Sequence, residues 1–141
     1  GWNVAGNGEI SAKVYVAPRR GAEHRSVAYL ADRAGIDSRE VLAALRAAAL
    51  ERALWRNDVV LCTGSEPAPG LLAVHAAPPP DADRLELARA VLDRYAGGAT
   101  VLDDMVVRTA TTGLAWLVSG IGISFAPPGE VEHVNVYLAP S

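Results

Sequence analysis

"GEISAKVYVAP" occupies residues 8–18 and "GEVEHVNVYLAP" residues 129–140. The chain writes nearly the same phrase twice, and both copies share Val-Tyr-(Val/Leu)-Ala-Pro. In the first, Ile10, Ala12, Val14 and Val16 alternate with Ser11, Lys13 and Tyr15. A period of two describes a strand buried on one face. The second copy puts Val136 and Leu138 on one face and Tyr137 on the other. Both phrases are therefore expected as strands of one sheet, close in space, with their valines toward the core. The second copy has one more residue between its Gly-Glu and its Tyr, which predicts a β-bulge near His133. Proline lacks the N–H that a ladder needs, so both strands are expected to leave the sheet at Ala-Pro. A further echo pairs "WNVAGNGEIS" from Trp2 with "WLVSGIGIS" from Trp116. The echoes fit strands under the same packing demands; they also fit a duplication.

Between the two phrases the pattern changes period. Val27, Leu30, Ala31 and Ala34 follow helical spacing, and Gly35 reads as the end of that helix. Asp37 starts a second helix, with Glu40 as capping-box partner, expected to run to about Trp55. Its apolar residues go nearly all the way round. Leu50 and Leu54 fall off the stripe set by Val41, Leu45 and Ala48, so they need cover from the domain or from a partner. "DVVLCT" and "GLLAVHA" read as strands joined by the turn residues of "GSEPAPG". Pro78–Pro80 stop the second of them. Asp81 then caps a helix with the stripe Leu85, Ala88, Val91, Leu92 and Tyr95, closed by Gly97. "TVLDDMVVRTAT" reads as a strand, "GLAWLVSGIGISFAP" as another bent at Gly120 and Gly122, and the closing phrase as the last. This order gives an α+β fold over residues 1–141 as one domain. Its sheet is mostly antiparallel, with helices packed on one face.

Composition narrows the function classes. The chain has 141 residues, half of them hydrophobic and 21% charged, which is enough for one packed core. A net charge of −3 is not that of a strongly basic nucleic-acid binder. Cys62 is the single cysteine, so no intrachain disulfide forms. The longest apolar run is too short for a membrane span. A first residue of Gly1 reads as a processed or excised product. High Ala, Arg and Gly content suggests a GC-rich bacterial genome, and leaves cytoplasm and envelope both open.

Two stretches resemble known modules. "VAYLADRAGIDSREVLAAL", residues 27–45, resembles a helix-turn-helix. Leu30, Ala31, Ala34, Gly35, Ile36, Ser38 and Val41 stand at its packing, turn and second-helix positions, and the resemblance implies that Ser38, Arg39 and Glu40 face DNA. Residues 37–107 are similar to the BON domain, a small αββαβ module of bacterial envelope proteins. The likeness is carried by "GLLAVHAAPPPDADRLELARAVLDRYAGGATVLDDMVV", with "VLDDMVV" as the last strand. That resemblance implies an interaction module.

The chemistry-bearing residues do not assemble into a catalytic set by spacing. His24, His75 and His133 are scattered and lack metal-ligand spacing. Cys62 reads as a small core residue. Asp103 and Asp104, adjacent in the expected strand, would point to opposite faces. "TGS" at 63–65 lacks the nucleophile-elbow pattern, and "GNG" and "GIG" lack the rest of a phosphate loop. No cofactor is expected. The expectation is a non-catalytic domain working by protein–protein interaction or self-association. Leu50 and Leu54, with the basic cluster Arg19, Arg20 and Arg25, are the candidate contact residues. A DNA-binding domain using residues 27–45 is the second reading, and a small-molecule enzyme the third.

Overall fold

The computed structural model describes residues 2–4, 10–56, 59–64, 70–113 and 115–140. Its strands are β1 (Trp2–Val4), β2 (Ile10–Val16), β3 (Val59–Gly64), β4 (Leu72–Ala76), β5 (Trp116–Ala126) and β6 (Glu130–Pro140). Between β2 and β3 come α1 (Glu23–Ala34), α2 (Ser38–Ala47) and α3 (Glu51–Arg56). Between β4 and β5 come α4 (Arg84–Tyr95) and α5 (Thr100–Thr111). The strands lie side by side in chain order, and every neighbouring pair is antiparallel. The α+β class with an antiparallel sheet is what the sequence pattern implies. Gly8 and Glu9 of the first phrase, and Ser65 and most of the turn after β3, lie outside the described residues.

One face of the sheet carries the core. Leu61, Leu72, Val74, Ile121, Ile123 and Phe125 are fully buried there against Val27, Val41, Leu45, Leu50, Leu54 and Val91 from the helices. α1 contacts β3 and β4, and α4 contacts β5 and β6. Strand register places Val14 opposite Thr63, Val16 opposite Leu61, Val136 opposite Ile121 and Leu138 opposite Val118, all on this helix-side face. Both phrases thus turn their valines to the helix-side face, but Val14 stays 46% exposed and is not part of the core. The phrases are not neighbours, however: β3, β4 and β5 separate them. The bulge near His133 is present. Ser124 pairs with His133 while Phe125 pairs with Val131, which leaves Glu132 as the extra residue. Pro140 still pairs with Trp116, so β6 does not leave the sheet at Ala-Pro. As the last strand of the sheet, β6 has a free side where a missing N–H costs nothing.

Three local expectations are corrected. The helix expected over 38–55 breaks between α2 and α3 at Ala49, whose φ is +55°. There Ala49 N–H donates to Arg46 O and Leu50 N–H to Leu45 O, the paired bonds of a Schellman stop. Gly35 makes the same stop after α1, through its own N–H to Asp32 O and Ile36 N–H to Ala31 O. Glycine announces the first stop in the sequence; alanine conceals the second. The cap of α4 is Asp83, not Asp81: its Oδ1 accepts from Leu85 N–H at 3.1 Å and Glu86 N–H at 3.0 Å. "TVLDDMVVRTAT" is helix α5, not a strand. Its apolar positions Val101, Leu102, Met105 and Val106 fit a helical stripe, and Asp103 takes Arg89 Nε at 2.7 Å. The segment read as the closing strand of a BON-like module is therefore helical. Finally, β1 was not anticipated from three residues.

Candidate functional site: the open face of the sheet

Among the described residues no helix lies over the other face of the sheet. Alternation along each strand puts Lys13 and Tyr15 of β2 on this face, with Val60 and Cys62 of β3 and Ala73 and His75 of β4. Gly120, Gly122 and Ser124 of β5 and His133, Asn135 and Tyr137 of β6 complete it. An antiparallel sheet with one solvated face normally carries polar side chains there. Here the middle strands carry small and apolar ones. Tyr15, Tyr137 and Val60 keep 55%, 43% and 40% of their surface exposed, while Cys62, Ala73 and Gly122 lie buried among them.

The centre is built around His75. Its ring lies over Gly122 of the adjacent strand, where a β-carbon would stand 2.6 Å from Nδ1. Tyr137 reaches across from β6, with Oη 3.0 Å from His75 Nδ1 and ring centroids 5.5 Å apart. On the other side the Tyr15 ring lies 6.3 Å from the imidazole. Gly120 sits beneath Tyr137, with 3.5 Å between a notional β-carbon and Cδ2. Two glycines spaced by two on β5 thus open a trough that lets the imidazole and the phenol lie close to the sheet. The register shift at Ser119 fixes Tyr137 further: Ser119 Oγ donates to the Tyr137 carbonyl at 3.2 Å.

The electrostatics of the trough are those of neutral groups. Burial, then the charge of Lys13, pushes the His75 pKa below its ordinary value of 6.5. The Tyr15 phenol is pushed up, first by the charge the Cys62 thiol would carry beside it, then by burial and the hydrogen bond to Cys62. Burial raises Tyr137 as well, followed by Tyr15 and Cys62. A neutral imidazole between two protonated phenols offers hydrogen bonds and apolar surface without a charge to strip of water.

The residues singled out from the sequence fall elsewhere. Leu50 and Leu54 are fully buried in the core, so their surface is used within the chain and none is left for a partner. Arg19 and Arg20 lie exposed in the connection from β2 to α1, and Arg25 on α1. None of the three belongs to the aromatic row. α1, its Gly35 stop and α2 form a helix pair, and the β5–β6 turn seats on the first turn of α2. There Asp37 N–H donates to Pro128 O at 2.8 Å, and a β-carbon on Gly129 would stand 2.8 Å from Glu40 Cβ. Arg39 pairs with Asp37, Nη2 to Oδ2 at 2.8 Å. Among the described residues no three His, Cys, Asp or Glu side chains gather as metal ligands. No helix there is long and apolar enough to cross a membrane.

The row Tyr15–Cys62–His75–Tyr137 was missed because each residue is unremarkable alone. The signal was present in two places: the tyrosines sit at equivalent points of the repeated phrases, and the glycines of "GIG" share one face. Comparison with protein-family models, with curated proteins and with solved structures finds no match.

Proposed function

We propose that this chain is a non-catalytic protein-association domain whose partner is a second copy, packed open face to open face. The observation that carries this reading is the sheet face that no described helix covers. Between a polar rim of Lys13, His133 and Asn135 its middle strands carry Val60, Cys62, Ala73 and two glycines where a water-facing antiparallel sheet is polar, and Tyr15, Tyr137 and Val60 are exposed there. Tyrosine is enriched at protein interfaces because it buries a large ring and keeps one hydrogen-bonding group. Five strands about 4.8 Å apart make a face roughly 20 Å wide. Two twisted sheets pack in this way in sandwiches, about 10 Å apart.

Charge favours a second copy. Lys13 stands opposite Gly64, at the end of β3, and Glu130 opposite Ala126, at the end of β5. β3 and β5 run in the same direction, so both charges stand at the same end of the sheet, on the second and the last strand. A two-fold axis parallel to the strands brings Lys13 of one copy over Glu130 of the other, twice. Such a closed, self-complementary contact is the commonest form of homo-oligomer.

Light scattering across a range of concentrations tests the proposal. The wild type is expected at twice the chain mass, and Tyr137→Glu, which buries a charge in the contact, at the mass of one chain with its helical circular dichroism kept. A wild type that stays at the single-chain mass at the highest concentration overturns it.

A further inference from the structure

A second feature lies on the helix side of the sheet, away from the open face. Of α5, Leu102 is buried in the core with Val106 packed partly against it, and the Arg89–Asp103 pair ties the helix to α4. Between it, α4 and the last two strands is a cleft of about 580 Å³. Leu92 and Ala96 of α4 form one wall. Val101, Met105 and Thr109, four residues apart on one side of α5, form the other. Trp116, Val136 and Leu138 form the floor. Protein interiors are normally filled to crystal-like density. Here Val101 and Met105 line open space and remain exposed.

We propose that this cleft binds an uncharged, apolar small molecule of two or three rings, or an aliphatic chain of equal bulk. The size follows from the volume. A cavity of about 150 Å³ holds one benzene, and ligand sites commonly measure about 300–1,000 Å³. The charge follows from the lining, which contains no Asp, Glu, Lys, Arg or His. A carboxylate or ammonium placed there would lose water and gain no counter-charge. The Thr109 hydroxyl already bonds the carbonyls of Met105 and Val106, at 2.9 and 3.1 Å, so it adds little polar demand. A protein partner fits less well: ten residues line the cleft, against about 20–30 per side in a standard interface.

The test uses N-phenyl-1-naphthylamine, an uncharged aromatic probe that brightens and shifts to the blue in apolar sites. The wild type is expected to bind it saturably, one per chain. Met105→Glu places a carboxylate at the mouth of the cleft, on a residue already half exposed, and is expected to weaken binding at least tenfold with an unchanged circular dichroism spectrum. Dodecanol is expected to displace the probe at least tenfold better than dodecanoate at pH 8. Absence of saturable binding, or equal binding by Met105→Glu, overturns the site; equal displacement by the alcohol and the anion overturns the ligand class. Tyr137→Glu, on the opposite face, should bind the probe like the wild type, so loss of self-association and loss of ligand binding are read separately.

Discussion

Gly122 lies directly beneath His75, and the space its missing β-carbon would fill is taken by the imidazole, 2.6 Å from Nδ1. Glycine in a strand interior is otherwise unfavourable, because it adds entropy to the unfolded chain and packs nothing. Its presence here is explained by the ring above it. Gly122→Ala should therefore destabilise by about 1–3 kcal/mol through overpacking. In a His75→Ala background the same change should cost far less. At Gly120 the neighbour is 3.5 Å away, an ordinary contact, so Gly120→Ala should be close to neutral. Urea denaturation of the four variants checks the set.

The depressed pKa of His75 makes stability depend on pH. The unfolded imidazole titrates near its ordinary 6.5 and the folded one lower, so between the two values the unfolded chain binds more protons. Stability then rises with pH through that interval. It is complete above about 6.5 and is lost as pH falls toward the folded value. His75→Asn should flatten the slope below about pH 6.5, the ordinary value of the imidazole. A wild type and variant with parallel slopes in thermal melts would remove His75 as the cause.

Ala49 holds a left-handed conformation that glycine adopts without strain. Ala49→Gly should stabilise the chain by about 1 kcal/mol, because the relief at the stop between α2 and α3 exceeds the added freedom of the unfolded chain. The same change at Ala43, exposed in the interior of α2, should destabilise by about 1 kcal/mol. A pair of denaturation midpoints decides it.

What the sequence made legible follows from which signals are local. Period-two alternation located β2, β5 and β6 and turned Val14, Val16, Val136 and Leu138 to the correct face, because that alternation depends only on the strand's own pleat. The extra residue of the closing phrase likewise announced the bulge at Glu132. Thr100–Thr111 reads as a strand from its apolar residues and is a helix. Val101, Val106 and Val107 suit a strand by propensity, while Leu102 and Val106, four apart, are the positions the helix turns to the core. The aromatic row was hidden for a different reason. Tyr15, His75 and Tyr137 are separated by tens of residues, and the strand order that joins them through β3, β4 and β5 is a property of the whole sheet. Leu50 and Leu54 fall off the stripe of an unbroken helix, and so need cover from the domain or from a partner, because the break at Ala49 carries no glycine. Once the helix is broken, both leucines turn into the core.

The most direct test of the association claim is sedimentation equilibrium of two charge variants, separately and mixed. Lys13→Glu alone would bring carboxylates together at both ends of a two-fold contact, and Glu130→Lys alone would bring two ammonium groups together. Each should be predominantly single-chain where the wild type is a dimer, since like-charge contacts at an interface are strongly disfavoured. Mixed in equal amounts, the two variants restore opposite charges at both contacts and should form a one-to-one dimer. If the wild type dimerises but the mixture remains at the single-chain mass, the two-fold packing of the open faces is contradicted. If the wild type itself never exceeds that mass, self-association is contradicted altogether.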